Sequence, residues 1–91
     1  MAKISIRHDH AQPEHVVREV LHRLTETLHK EYQITSVWHG SRVDFHRSGA
    51  SGTLTLHAHQ VEIEIKLSMM LSMFERKIRQ VITEFCQENL K

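Results

Sequence analysis

The sequence predicts a two-layer α+β fold: an antiparallel meander sheet with two helices packed on one face. Three observations predict it. Apolar and polar residues alternate with period two across residues 38–67. Residues 17–28 and 74–85 instead carry apolar side chains at helical spacing. Turn-forming residues punctuate the alternating stretch at Gly40-Ser41, at 48–51 and at His59-Gln60.

The alternation assigns faces. Val43, Phe45, Leu54, Leu56, Ala58, Val61, Ile63, Ile65 and Leu67 share one parity, while Arg42, Asp44, His46, Thr53, Thr55, His57, Glu62, Glu64 and Lys66 share the other. One face is therefore expected to be buried and one wet. The turns then set registers. A turn at Gly40-Ser41 puts Trp38 opposite Val43. A loop over 48–51 puts Phe45 opposite Leu54 and Val43 opposite Leu56. A turn at His59-Gln60 puts Ala58 against Val61, Leu56 against Ile63, and Leu54 against Ile65. Each register matches apolar with apolar, and a slip of one residue would spoil it.

Ninety-one residues make one expected domain, 1–91, with enough chain for a modest core. A hydrophobic content of 40% is too high for a disordered chain of this charge. Lys+Arg 12 against Asp+Glu 11 leaves no net basic signature of nucleic-acid binding. Cys86 is alone, which excludes an internal disulfide. With no signal peptide and no long apolar run, the chain is expected to be cytoplasmic, without a membrane span.

In chain order, residues 3–8 alternate around Ile4 and Ile6 and form a short strand. After a connector at 9–12, Pro13 opens a helix, where its missing N–H is not needed, and Glu14 suits the positive helix end. Val17, Val20, Leu21, Leu24 and Leu28 form its apolar stripe. Glu14–Arg18, Glu19–Arg23 and Glu26–Lys30 line the outer face at the favourable spacing. The helix is expected to end near Glu31, and 34–39 begins the meander. The last helix starts at Ser72 or Ser68. Ser72 and Glu75 have capping-box spacing, and Phe74, Ile78, Val81, Ile82 and Phe85 form the expected buried stripe. The element order is β-α-β-β-β-β-α. Two placements of the first strand are open, parallel beside the second or antiparallel beside the fifth. The latter gives an all-antiparallel order 1-5-4-3-2 gripping the last helix, by analogy a reduced helix-grip fold.

Catalytic and metal chemistry find little footing. His57 and His59 lie two apart in the strand pattern, both outward. His15, His22 and His29 lie seven apart on one helix face. Seven helical residues rise about 10 Å, too far for two ligands of one ion. His22 with Glu26 lacks a third ligand, and Arg42 within an outer row of His39, His57 and Glu62 opposes a cation. Cys86 falls near a helix C-terminus, which disfavours a thiolate, and reads as a small, partly buried residue. Ser48 and Ser51 lack a matching base and acid. Gly49 and Gly52 flank a turn rather than opening a helix onto phosphate. No catalytic residue, metal or cofactor is expected. Exposed aromatics for base stacking are missing as well, because Trp38 and Phe45 have core parity.

One segment resists a core explanation. In residues 69–73, Leu71 keeps core parity, but Met69 and Met73 fall on the opposite side of any helix that contains them. With Met70 they form a candidate apolar lip, and methionine suits adaptable apolar contacts.

Trp38 and Gly40, then Phe45, Arg47, Gly49 and Gly52, with Leu54 and Leu56 following, give the chain a recognisable pattern. It resembles the polyhydroxyalkanoic acid system protein family, also called the granule-region family. That family has a Trp-x-Gly turn, Phe-x-Arg-x-Gly-x-x-Gly before a hairpin, and a hydrophobic segment leading into a charged helix. Ser41 stands where an acidic residue is common, and Ser68 where glycine is common. The resemblance covers nearly the whole chain. It implies a bacterial cytoplasmic protein of polyhydroxyalkanoate metabolism, associated with storage granules, and brings no catalytic residues with it. The motif residues have a sufficient explanation in turns and core. The function expected is that of a non-enzymatic accessory protein that binds the granule surface, a granule-associated protein or a second copy of itself. The alternative is an acyl-chain carrier of helix-grip type, which needs a cavity of about 300 Å³ or more.

Overall fold

The computed structural model describes residues 2–90; Met1 and Lys91 lie outside the described residues. The elements follow the order β1 (Ala2–Asp9), α1 (Glu14–Tyr32), β2 (Thr35–His39), β3 (Arg42–Arg47), β4 (Ala50–Leu56), β5 (Gln60–Leu67), a single 3-10 turn (Ser72–Phe74) and α2 (Glu75–Asn89). The five strands form one antiparallel sheet in the order β1-β5-β4-β3-β2. The first strand therefore takes the placement beside the fifth.

Alternation explains the sheet's two faces. Val43, Phe45, Leu54, Leu56, Val61, Ile63, Ile65 and Leu67 are all buried beneath the helices. From α1, Val17, Val20, Leu21, Leu24 and Leu28 complete the core, joined by Thr25, whose hydroxyl donates to His22 O at 2.9 Å. Pro13 stands at the N-cap of α1. The helix ends at Gln33, whose left-handed conformation (φ 58°) lets its N–H bond His29 O. Of the outer-face pairs, Glu14–Arg18 closes to 3.6 Å and Glu75–Arg79 to 3.9 Å.

Two of the three predicted registers are displaced by two residues. Trp38 does lie opposite Val43. However, Val43 pairs with Leu54 rather than Leu56, and Phe45 faces Gly52 rather than Leu54. Likewise Leu56 pairs with Val61 and Leu54 with Ile63, while Ala58 is exposed in the loop. The cause is turn geometry. Arg47 and Ala50 already pair, so only Ser48-Gly49 turns, with Gly49 at φ 87°. Gly52 thus sits inside a strand, between Phe45 and Ile65, and does not flank a turn. A Cβ there would lie 2.2 Å from Glu64 O, so only glycine allows the backbones to meet this closely.

The last helix also differs from expectation. Its buried residues are Ile78, Ile82 and Cys86; Val81 and Phe85 are half-buried, and Phe74 is exposed. A 3-10 turn advances about 120° per residue against 100° in an α-helix, so Phe74 swings off the stripe. The predicted capping box does not form. The Ser72 hydroxyl donates backwards to Met69 O at 2.8 Å. Cys86 is fully rather than partly buried, and burial pushes its thiol up to about 11.

Candidate functional site

The candidate site is the connection from β5 to α2, built on a series of backbone bonds. Ser68 N–H donates to Gly49 O at 2.8 Å, Leu71 N–H to Ser68 O at 3.0 Å, and Phe74 N–H to Leu71 O at 3.0 Å. These turns aim Leu71 into the core, where it is buried. Its neighbours are thrown outward: Met69, Met70 and Met73 are 82%, 75% and 77% exposed. Met70 thereby joins the other two, and the lip is made of all three methionines. Phe74 borders it, 39% exposed, with its ring edge-on to Tyr32 at 6.5 Å.

Behind the lip lies an apolar cleft of about 170 Å³, walled by Tyr32, Ile34, Arg47, Leu67, Leu71 and Ile78 among others. Larger hollows along α1 and across the outer sheet face are open surface grooves with polar linings. Burial, followed by the nearby Glu31 carboxylate, raises the Tyr32 phenol's pKa.

The sequence motif proves to be the seat of this lip. Arg47 donates Nη1–H to Tyr32 O at 2.6 Å, satisfying a carbonyl of the last turn of α1 and anchoring that helix against β3. Gly49 accepts the Ser68 N–H, and a Cβ on Gly49 would approach Ser68 Oγ to 2.9 Å and Leu71 Cδ1 to 3.1 Å. Gly49 therefore has a second reason to be glycine besides its φ: the lip's base rests on it. Phe45 is buried beneath, and Gly40 makes the first hairpin turn at φ 63°. Nothing in spacing reveals the Gly49–Ser68 contact, which joins residues 19 positions apart. Trp38 lies away from the lip, half-buried, stacked on His22 at 4.1 Å with Arg18 over its ring.

The histidines are dispersed. His22 serves the Trp38 stack; His57 pairs with Glu62 at 3.0 Å, and His39 with Asp44 at 3.4 Å beside Arg42. Among the described residues no group of three His, Cys, Asp or Glu side chains converges on a metal position. No helix among them is long and apolar enough to cross a membrane.

Fold and lip define the class: a small two-layer α+β protein with a closed core and a cluster of exposed methionines. Residues 4–90 match the family model described as "Putative polyhydroxyalkanoic acid system protein", and the chain belongs to that family. No curated protein and no solved structure matches the chain.

Proposed function

We propose that this is a non-enzymatic accessory protein of polyhydroxyalkanoate metabolism, and that Met69, Met70 and Met73 bind the storage-granule surface or a protein on it. The observation that carries this reading is the exposure of all three methionines, clustered within five residues beside a well-buried core. Burying such a side chain is worth on the order of 1.5–3 kcal/mol, so the free protein forgoes that stabilisation three times over. A partner that covers the lip recovers it. Methionine suits a chemically plain surface, because its flexible thioether adapts without hydrogen bonds.

The geometry supports docking over carriage of an acyl chain. A cleft of about 170 Å³ falls below the ~300 Å³ at which small-molecule pockets usually begin. The layer between sheet and helices is filled by Leu21, Leu24, Leu54, Ile63 and Ile82.

The test is a Met69→Ser, Met73→Ser variant mixed with lipid-free polyhydroxybutyrate particles and with lysate from polymer-accumulating cells. The parent is expected to co-sediment with particles or retain a granule protein, and the variant to lose that binding at an unchanged melting temperature. Equal retention of parent and variant would overturn the reading. A concentration-dependent dimer seen by analytical ultracentrifugation, abolished in the variant, would assign the lip to a second copy instead.

A further inference from the structure

The lip end of the molecule holds two arrangements of positive charge that work against the stability of the isolated protein. The first is on the sheet. Lys3 and Lys66 are direct cross-strand partners on the outer face, both exposed, two residues before Ser68 in the case of Lys66. Like charges facing each other across a strand pair are destabilising. The second is on α2. Arg76 and Lys77 occupy its first turn, where the helix dipole favours anions, and Glu84 and Glu88 sit towards its C-terminal end, where the dipole favours cations. Glu75 answers the dipole but is engaged with Arg79 at 3.9 Å. Neither Arg76 nor Lys77 has an ion pair among the described residues.

Position ties these cations to the lip. Arg76 and Lys77 follow Met73 by three and four residues in the chain, and both are exposed in the first turn of α2, whose buried side is Ile78, Ile82 and Cys86. Met69 and Met70 project from the connection between the layers. On the other side of the methionines in the chain, Lys66, paired with Lys3, precedes Met69 by three residues. Among the carboxylates nearby, Glu31 belongs to the last turn of α1, and Glu64 lies two residues before Lys66 on the outer sheet face. An apolar tip flanked by cations is the pattern that seats a protein at the boundary between acyl chains and anionic headgroups.

We infer that this end docks on an anionic lipid surface, with Met69, Met70 and Met73 entering the acyl boundary while Lys3, Lys66, Arg76 and Lys77 meet the headgroups. The inference rests on the lip being the binding surface and adds the chemistry of what it meets. Bound anions relieve both charge conflicts at once, which a neutral polyester surface does not.

The experiment is co-sedimentation with vesicles of pure phosphatidylcholine and of phosphatidylcholine with 30% phosphatidylglycerol, at about 0.05 and 0.5 M salt. Three forms are compared: the parent, Arg76→Gln/Lys77→Gln, and Met69→Ser/Met73→Ser. The parent is expected to bind only the anionic vesicles and to release at high salt. Removing two cations should weaken binding about thirtyfold, at roughly fivefold per charge. The same charge variant should keep or slightly raise its melting temperature, because it removes a dipole conflict. Equal binding to neutral and anionic vesicles, or binding to neither, overturns the inference. Lipid-free polyester particles separate the two claims. Binding to those particles, or to a granule protein from lysate, but to no vesicle leaves the proposed function standing and removes the anionic surface, while binding to no vesicle, particle or granule protein removes both.

Discussion

The two ends of this sheet are closed to different extents. At the end where β1 meets the β4–β5 loop, polar groups join segments far apart in sequence. His10 N–H donates to His59 O at 3.0 Å, Gln60 Nε2 donates to Asp9 Oδ1 at 3.0 Å, and the His8 ring bonds Leu90 O. His10 itself is buried. At the other end Arg47 and Arg79 likewise bond Tyr32 O and Lys3 O, and Ser68 N–H bonds Gly49 O, yet the long apolar side chains of the connection from β5 to α2 point into solvent. The first end is thus closed over, and the second leaves three methionines open. The comparison teaches that exposed methionines are not the unavoidable result of a small core, because the histidine end shows how a chain of this length closes an end.

The largest expected effect lies between the ends and calibrates both. Replacing Ile63 with Ala, in the centre of the core opposite Leu54, should cost on the order of 2–5 kcal/mol by chemical denaturation. A loss below about 1 kcal/mol would mean that the sheet–helix layer is not closely packed and that the contrast between the ends is unfounded.

A smaller effect should appear at the histidine end on acidification. Burial lowers the pKa of His10, and His59 and His8 push it the same way, opposed by Asp9 and a backbone hydrogen bond with Gln12. The unfolded chain therefore binds the proton more readily than the folded one. Stability is complete above the unfolded value near 6.5 and falls as pH drops through 6.5 towards the lowered folded value. Melting temperatures measured from pH 8 to 5 should decline over that window and decline less in His10→Gln. An identical slope in the two proteins would assign the acid sensitivity to other groups.

The smallest effect is chemical. Cys86, with no exposed surface and a thiol held at about 11, should resist iodoacetamide at pH 8 in the folded protein and react once denaturant is added. Mild peroxide should meanwhile oxidise Met69, Met70 and Met73 without unfolding, since none of them supports the core. Slow oxidation of all three would show that the lip is covered.

The sequence made the faces and order of the sheet legible because period-two alternation reports parity directly. Val43, Leu54 and Ile63 could be placed inside from the pattern alone. The pattern is blind to a slip of two residues, which preserves every face, so the Val43–Leu54 pairing depended on a turn shorter than composition suggested. Phe74 was misplaced because helical spacing was extended through a 3-10 turn. Met69 and Met73 were legible as residues without a core role; Met70, next to the buried Leu71, was not. Their seat on Gly49 and the anchoring of α1 by Arg47 were not, because both are tertiary contacts that no local spacing encodes.

The pairing of β1 with β5 has a consequence for how the chain comes to be folded. Strands β2 to β5 join neighbours in sequence through short turns, so each hairpin closes a small loop. β1 is the exception, because Ala2 finds its partner only at Leu67. On a ribosome adding about 5–20 residues per second, Ile4 and Ile6 wait roughly 3–13 s for the strand that will cover them. During that interval they are an unpaired apolar strand. Pulse-labelled hydrogen exchange during refolding should protect the β4–β5 amides before those of β1. The opposite order would mean that the first strand finds the sheet by another route.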